Sequence, residues 1–192
     1  YVTPNIAGWE QVPDGIAWKN LATDVALAVR FLDNVIDLNP IKDPLVQDQV
    51  KASRRIGLGV MGWADMLIYL GIPYGSEKAR KLAKRMIKFI QITAEQATHQ
   101  LAKERGVFPD WETSIYGPAG MNYERRNSTL TMMAPTGSIG ILAGCSTGIE
   151  PNFGLTMTHQ SPTQRERKLK LTSEAATYYV IARYPHEVSE IL

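Results

Sequence analysis

Cysteine is almost missing: the 192 residues hold one, Cys145. A single thiol excludes an internal disulfide framework and any Cys-x-x-Cys metal or redox pair. Histidine is scarce too. His99, His159 and His186 are far apart and lack the spacing of metal ligands, so no metal site is expected. An excess of charge is absent as well, because 21 basic and 19 acidic residues leave +2. No strong field therefore argues for a nucleic-acid partner or an anionic membrane surface. No apolar run approaches the roughly 18 residues of a membrane span, and the opening Tyr-Val-Thr-Pro-Asn has no signal-peptide layout. A cytoplasmic, reducing location is the expectation. The chain opens on Tyr rather than Met, which reads as a missing N-terminus.

What is present is an ordinary globular composition with strong helical periodicity. Residues 1–16, with Pro4, Gly8, Pro13 and Gly15, read as loop. From Trp18 to Leu38 the apolar Leu21, Val25, Leu32, Val35 and Ile36 recur at helical spacing, with Asp24, Arg30, Asp33 and Asn34 between them. Asn39-Pro40 closes that helix, since the residue before proline is driven out of helical geometry. A second helix opens near Gly59 and ends at Gly71. Ser76 is the expected N-cap of the longest element, which runs to Gly106. Its apolar stripe is Ala79, Leu82, Ala83, Met86, Ile90, Ala94, Ala97 and Leu101. Lys78, Arg80, Lys81, Lys84, Arg85 and Lys88 lie off it and read as a solvated face. Residues 106–127 look like ordered loop, and 128–134, short, apolar and β-branched, like a buried strand.

"GLGVMG" at 57–62 fits the dinucleotide fingerprint G-x-G-x-x-G letter for letter. That turn needs a buried strand before its first glycine, an acidic partner about 20 residues on and a second strand after its helix. The residues preceding Gly57 are charged, Glu77 sits in the first turn of a helix, and another helix follows. The three glycines are therefore expected to serve close packing rather than a cofactor.

A better phosphate cradle is Ala134-Pro135-Thr136-Gly137-Ser138-Ile139-Gly140. It follows the expected strand. Pro135 fixes the turn, Gly137 lets a backbone approach an anion, and Thr136 and Ser138 carry hydroxyls. Successive backbone N–H groups there can form an anion nest, although no lysine of the Walker type is present. A tight turn with no ligand is the competing reading. A second small-residue run, Ala143 to Pro151, follows, and two such runs suggest a crowded floor under a site. In that run Glu150 is either an acid–base group or the holder of a turn, and Cys145 a small buried residue.

Four runs together resemble the large, catalytic subunit of ribonucleotide reductase: "AVRFLDNVIDLN" (28–39), "RRIGLGVMGWADML" (54–67), "YGSEKARKLAKRM" (74–86) and "NSTLTMMAPTGSIGILAGCSTGIEPNF" (127–153). The wording of the last is nearest the adenosylcobalamin-dependent class. The resemblance implies an α/β fold, a ten-stranded α/β barrel of which this is a helix-rich part. Residues 1–160 would belong to the C-terminal half of the barrel and 161–192 to a polar, partly helical tail. It implies thiyl-radical reduction of ribonucleotides to 2′-deoxyribonucleotides. The loop Pro135, Thr136, Gly137, Ser138 and Ile139 would hold the substrate's phosphates. The cofactor implied is adenosylcobalamin, or else a radical delivered by a separate di-metal subunit. A thioredoxin-like reductant and a homodimer complete the expected partners. The family's radical cysteine sits in an asparagine-x-cysteine-x-glutamate setting that nothing here matches, so it is expected upstream of Tyr1. Cys145 matches neither that position nor the reducing pair, and Tyr178-Tyr179 reads as packing. A non-enzymatic helical binding module, or another radical enzyme on the same barrel, is the alternative.

Overall fold

The computed structural model describes residues 15–152, and the backbone alone of 156–160 and 168–172. The readings at Tyr178-Tyr179, His186 and the helical stretch near 174–182 lie outside the described residues, as do 1–14. In order, the elements are α1 (Trp18–Leu38), α2 (Pro44–Ser53), α3 (Trp63–Tyr69), α4 (Glu77–Arg105), a single 3-10 turn at Pro109–Trp111, α5 (Gly137–Ala143), β1 (Thr156–Gln160) and β2 (Lys168–Thr172). They fall into two compact units: residues up to Leu58 with Lys84–Met132, and Gly59–Ala83 with the residues from Met133 on.

In the first unit, α1 has the boundaries its periodicity predicts, but its buried face is rotated. Trp18, Ala22, Val25, Val29, Asp33 and Ile36 face inward, while Val35 is 39% exposed. Trp18 meets Phe89 of α4 edge-on at 4.8 Å, and the Arg85 guanidinium stacks over the Trp18 ring. Arg85 thus leaves the otherwise solvated basic face. The remaining stripe of α4 is as expected, with Met86, Ile90, Ala94 and Leu101 buried. At its end Gly106 adopts a left-handed φ of 81° and donates its N–H to Ala102 O at 2.8 Å.

α2 has no counterpart in the sequence reading. Asp43 caps it, accepting from the Leu45 and Val46 N–H groups, and Pro44 opens it. It buries none of its residues, so no apolar stripe announces it. Beyond its end, residues 56–58 run parallel to 129–132. Leu58 N–H donates to Leu130 O at 2.8 Å and Met132 N–H to Leu58 O at 3.1 Å. This pairing, a single bridge between Leu58 and Thr131, is what becomes of the strand expected at 128–134. Leu130 is buried, but Met132 and Met133 are each 50% exposed because the pairing stops there.

A polar knot closes this unit. Asp33, wholly buried, accepts from Arg54 Nε at 2.9 Å, Arg105 Nη1 at 2.9 Å and Asn127 Nδ2 at 2.9 Å, and Arg126 Nε lies 3.5 Å away. Arg54 also binds Asp37 through both Nη atoms. Burial by itself lowers the Arg54 pKa, but the Asp37 and Asp33 carboxylates outweigh it and raise it; the Arg126 pKa is lowered, by burial and then by Arg54. Arg126 Nη1 reaches the carbonyls of Arg105 and Gly106, the unpaired end of α4. Arg54 pays for its position with a left-handed φ of 43°. Asp33 reads as one of the polar residues of α1; its spacing from Val29 and Ile36 puts it on the buried face instead.

In the second unit, Leu67, Ile72 and Ala79 form a core, with Trp63, Leu70 and Leu82 against it. α3 begins at Trp63, not near Gly59, because Gly62 takes a left-handed φ of 75° that helix interiors exclude. Ser76 caps α4 as expected, its Oγ accepting from Ala79 N–H at 3.1 Å. β1 and β2 pair antiparallel, Thr156 opposite Thr172 and Gln160 opposite Lys168. The tail read as polar and partly helical therefore contains a strand at 168–172, where Lys-Leu-Lys-Leu-Thr alternates with period two. Among the described residues, β1–β2 and the Leu58–Thr131 bridge are the strand pairings, so the segment is helix-rich.

Candidate functional site

The glycine fingerprint has the wrong surroundings for a dinucleotide. Its upstream neighbour is α2, not a strand. A Cβ on Gly57 would overlap Met132 Sδ, and one on Gly62 would lie 3.7 Å from Cys145 Cβ. Gly57 thus permits the close packing expected of it, whereas Gly62 has ordinary room and is set by its left-handed φ of 75°.

The loop at 135–139 is laid out differently. Thr136 stands at the N-cap position of α5 but makes no capping hydrogen bond. Its Oγ1 instead accepts the N–H of Gly148 at 2.7 Å, which leaves the hydroxyl proton to be donated elsewhere. Its carbonyl accepts from Gly140 N–H at 2.7 Å. Gly137, Ser138 and Ile139 form the first turn, whose N–H groups have no partner within a helix. Pro135, Gly137, Ser138 and Ile139 are exposed and Thr136 is half-buried. Among the described residues, nothing beyond its own helix and chain neighbours lies within 4 Å of where a Gly137 Cβ would stand. Gly140 is the one residue of α5 that is buried, and a Cβ there would press on Thr147 Cγ2. Leu142 is 87% exposed. The expected crowded floor is thus an open ledge, because a two-turn helix with one buried residue covers little.

Behind the ledge, residues 144–152 form a tight return. Gly144 ends α5 in a left-handed conformation, and Cys145 N–H donates to Gly140 O at 3.1 Å. Asp65, in the first turn of α3, accepts Ser146 N–H at 2.6 Å through Oδ2 and Asn152 Nδ2 at 2.9 Å through Oδ1. Gly62 N–H holds Ser146 O at 2.8 Å. Tyr74 Oη donates to Ile149 O at 2.6 Å. Glu150 accepts from Thr147 Oγ1 at 2.8 Å and returns its own N–H to Thr147 O, which holds the turn. Cys145 is half-buried, and its thiol pKa is pushed up by burial and then by the Asp65 charge. It stays protonated at neutral pH and is a poor nucleophile.

Asp65 and Asn152 escape the sequence reading: Asp65 meets partners 81 and 87 residues away, and no local pattern marks such pairs. No trio of His, Cys, Asp or Glu among the described residues is arranged to hold a metal. His99 Nδ1 lies 2.8 Å from Glu124 O and its ring stacks on Tyr123. No helix among the described residues is long and apolar enough to cross a membrane.

Comparison with known proteins agrees with the resemblance. A vitamin B12-dependent ribonucleoside-diphosphate reductase of Thermoplasma acidophilum is 47% identical over 146 residues, covering 75% of this chain and 19% of the relative. One of the same name from Mycobacterium tuberculosis is 45% identical over 143 residues, 74% of this chain and 20% of the relative. A ribonucleoside-diphosphate reductase subunit alpha from Chlamydia muridarum is 32% identical over 179 residues, 73% of this chain and 17% of the relative. The chain spans about a fifth of the length of the curated relatives it matches. The ribonucleotide reductase barrel domain matches residues 5–179, and the chain belongs to that family.

Proposed function

We propose that this chain is a segment of a ribonucleotide reductase catalytic subunit and that Pro135, Thr136, Gly137, Ser138 and Ile139 bind the phosphates of the ribonucleotide substrate. The observation that carries the loop assignment is Gly137. It opens a helix that has no side-chain cap, and among the described residues no atom beyond its own helix and chain neighbours lies within 4 Å of where its Cβ would stand. A glycine with that much room lets a ligand approach the backbone closely. The exposed Ser138 hydroxyl and the free proton of Thr136 supply donors on either side of it.

In this reading the chain's own work is binding and orientation. N–H groups and hydroxyls hold the phosphate end and so fix where the ribose lies, which is how positioning lowers a barrier. The reducing cysteine pair, and with it the thiyl chemistry at the ribose, is assigned to residues outside this chain, because a pair needs two thiols and Cys145, the single one, is tied into the return behind the loop. The finer parts of the reading are a ten-stranded barrel with residues 1–160 in its C-terminal half, a thioredoxin-like reductant and a homodimer. They rest on the family.

The relatives named vitamin B12-dependent favour adenosylcobalamin as the radical source over a separate di-metal subunit. Bound adenosylcobalamin supplies a radical by breaking its cobalt–carbon bond. The one histidine whose side chain is described, His99, lies with Nδ1 on Glu124 O and its ring stacked on Tyr123. No residue of this chain is assigned to that cofactor.

The test is a titration of the full-length polypeptide with a ribonucleoside diphosphate, a triphosphate and the free ribonucleoside. Gly137→Val adds bulk where the described residues leave room, and thermal unfolding checks that it folds. Loss of at least about tenfold in phosphate-ligand affinity is expected, the equivalent of roughly 1.4 kcal/mol. Affinity unchanged in Gly137→Val and in Ser138→Ala would remove the loop assignment.

A further inference from the structure

Resting on the phosphate-loop reading, we infer that Asp65 is its positioning residue: it sets the loop's geometry from behind, through the return at 145–152, without touching the ligand.

Asp65 is 7% exposed and so is Ser146. Every polar backbone atom of Ser146 is engaged by the start of α3 and its cap: its N–H by Asp65 Oδ2 at 2.6 Å and its C=O by the Gly62 N–H at 2.8 Å. The Ser146 Oγ lies 3.4 Å from the Asp65 N–H, at the long end of hydrogen-bond range. Two residues on, Gly148 N–H donates to Thr136 Oγ1 at 2.7 Å. That bond fixes the rotamer of Thr136 and aims its remaining proton. The second carboxylate oxygen, Oδ1, holds Asn152 at the far end of the return. One carboxylate therefore pins both ends of the span from Ser146 to Asn152, whose middle clamps the proposed loop. Each donor meeting Asp65 is neutral, so the carboxylate is positioned by geometry rather than by a counter-charge.

A purely structural role predicts a uniform loss of stability. Positioning of the phosphate loop predicts a loss confined to ligands that carry phosphate. It also explains why an acid, not an amide, stands at position 65. A carboxylate accepts on both oxygens, whereas an amide there would turn its nitrogen toward the Nδ2 of Asn152 or the N–H of Ser146. Exchanging the two side chains restores a matched set. The oxygen of the amide introduced by Asp65→Asn accepts from Ser146, and its nitrogen donates to the carboxylate introduced by Asn152→Asp.

The experiment measures dissociation constants of a ribonucleoside diphosphate and of the free ribonucleoside. It uses the full-length polypeptide and its Asp65→Ala, Asp65→Asn, Asp65→Asn/Asn152→Asp and Gly137→Val variants, with thermal unfolding alongside. For Asp65→Ala, diphosphate affinity should fall about tenfold, the low end of the cost of losing a supporting partner, with nucleoside affinity unchanged. Asp65→Asn should lose less, and the exchanged pair should recover wild-type affinity. If Asp65→Ala does not fold, the Asp65→Asn variant and the exchange decide the matter. Equal weakening of both ligands, no weakening at all, or no recovery in the exchange would overturn the positioning role. Gly137→Val separates the two readings. If it leaves diphosphate affinity intact, the loop assignment fails. If it abolishes that affinity while the Asp65 variants behave as wild type, only the positioning inference fails.

Discussion

Asp33 and Asp65 are both more than nine-tenths buried, yet they are held by opposite means. Around Asp33 stand three guanidiniums, from Arg54, Arg105 and Arg126, with Asn127 completing the set. Around Asp65 stand a backbone N–H and a side-chain amide, both neutral. The first arrangement ties α1, the end of α2, the end of α4 and the 125–127 stretch into one knot. The second saturates only what lies behind the loop and leaves the loop's outward N–H groups and hydroxyls available. A charge knot serves the fold, and a neutral clamp serves what the clamp holds.

The sharpest way to break this comparison is to remove Asp33. Asp33→Ala strands Arg54, 4% exposed, with only the half-exposed Asp37 as counter-charge. Unpairing a buried charge costs about 3–5 kcal/mol. Urea unfolding should show a loss of that size, and a loss under about 1 kcal/mol would mean the knot is ornamental. Asp65→Ala, which unpairs neutral donors, should cost about 1–3 kcal/mol in the same assay.

Acid sharpens the contrast further. The hydrogen bonds from Arg54 hold the Asp37 carboxyl below its usual value of 3.8, against burial acting the other way. The folded state then binds fewer protons than the unfolded one, so this stability is full above that value and fades as pH falls through the lower folded pKa. Because Asp37 is half-exposed, solvent limits its worth to about 1 kcal/mol or less. Asp37→Asn should therefore be slightly less stable at neutral pH and indistinguishable from wild type in strong acid. A difference that grew on acidification would contradict the assigned pairing.

The smallest effect concerns Cys145. Its pKa is raised, so at pH 8 iodoacetamide should alkylate it several-fold more slowly in the folded than in the unfolded protein. Asp65→Asn removes the second cause, the nearby charge, and should restore part of the rate. A thiol as fast as in the unfolded chain would mean that the return behind the loop opens readily.

The two long helices that bury a stripe are legible to the residue, whereas the start of the short α3 is not. α1 runs from Trp18 to Leu38, and Ser76 and Gly106 bracket α4 as their residue types predict. Where the stripe was absent, as in α2, the element was missed, although Asp43-Pro44 was a usable start signal. β2 was missed for another reason: five alternating residues are a weak pattern beside a long polar tail. The turn that opens α5 at 135–137 is legible because a proline, a glycine and hydroxyls cluster locally. Its support is not, because hydrogen bonds joining residues 65 and 146, or 33 and 127, leave no trace in short-range spacing.

One buried contact also bears on how the protein can be produced. Asn127-Ser128-Thr129 spells the acceptor sequence for N-linked glycans. In the folded chain Asn127 is wholly buried, and its Nδ2 donates to Asp33 Oδ1 and to Arg54 O. The atom that would carry the sugar is the atom that closes the knot. In a glycosylating secretory host the chain therefore has two exclusive fates. It folds first and escapes modification, or it is modified first and cannot seat Asn127. Expression in a compartment without that machinery avoids the competition altogether.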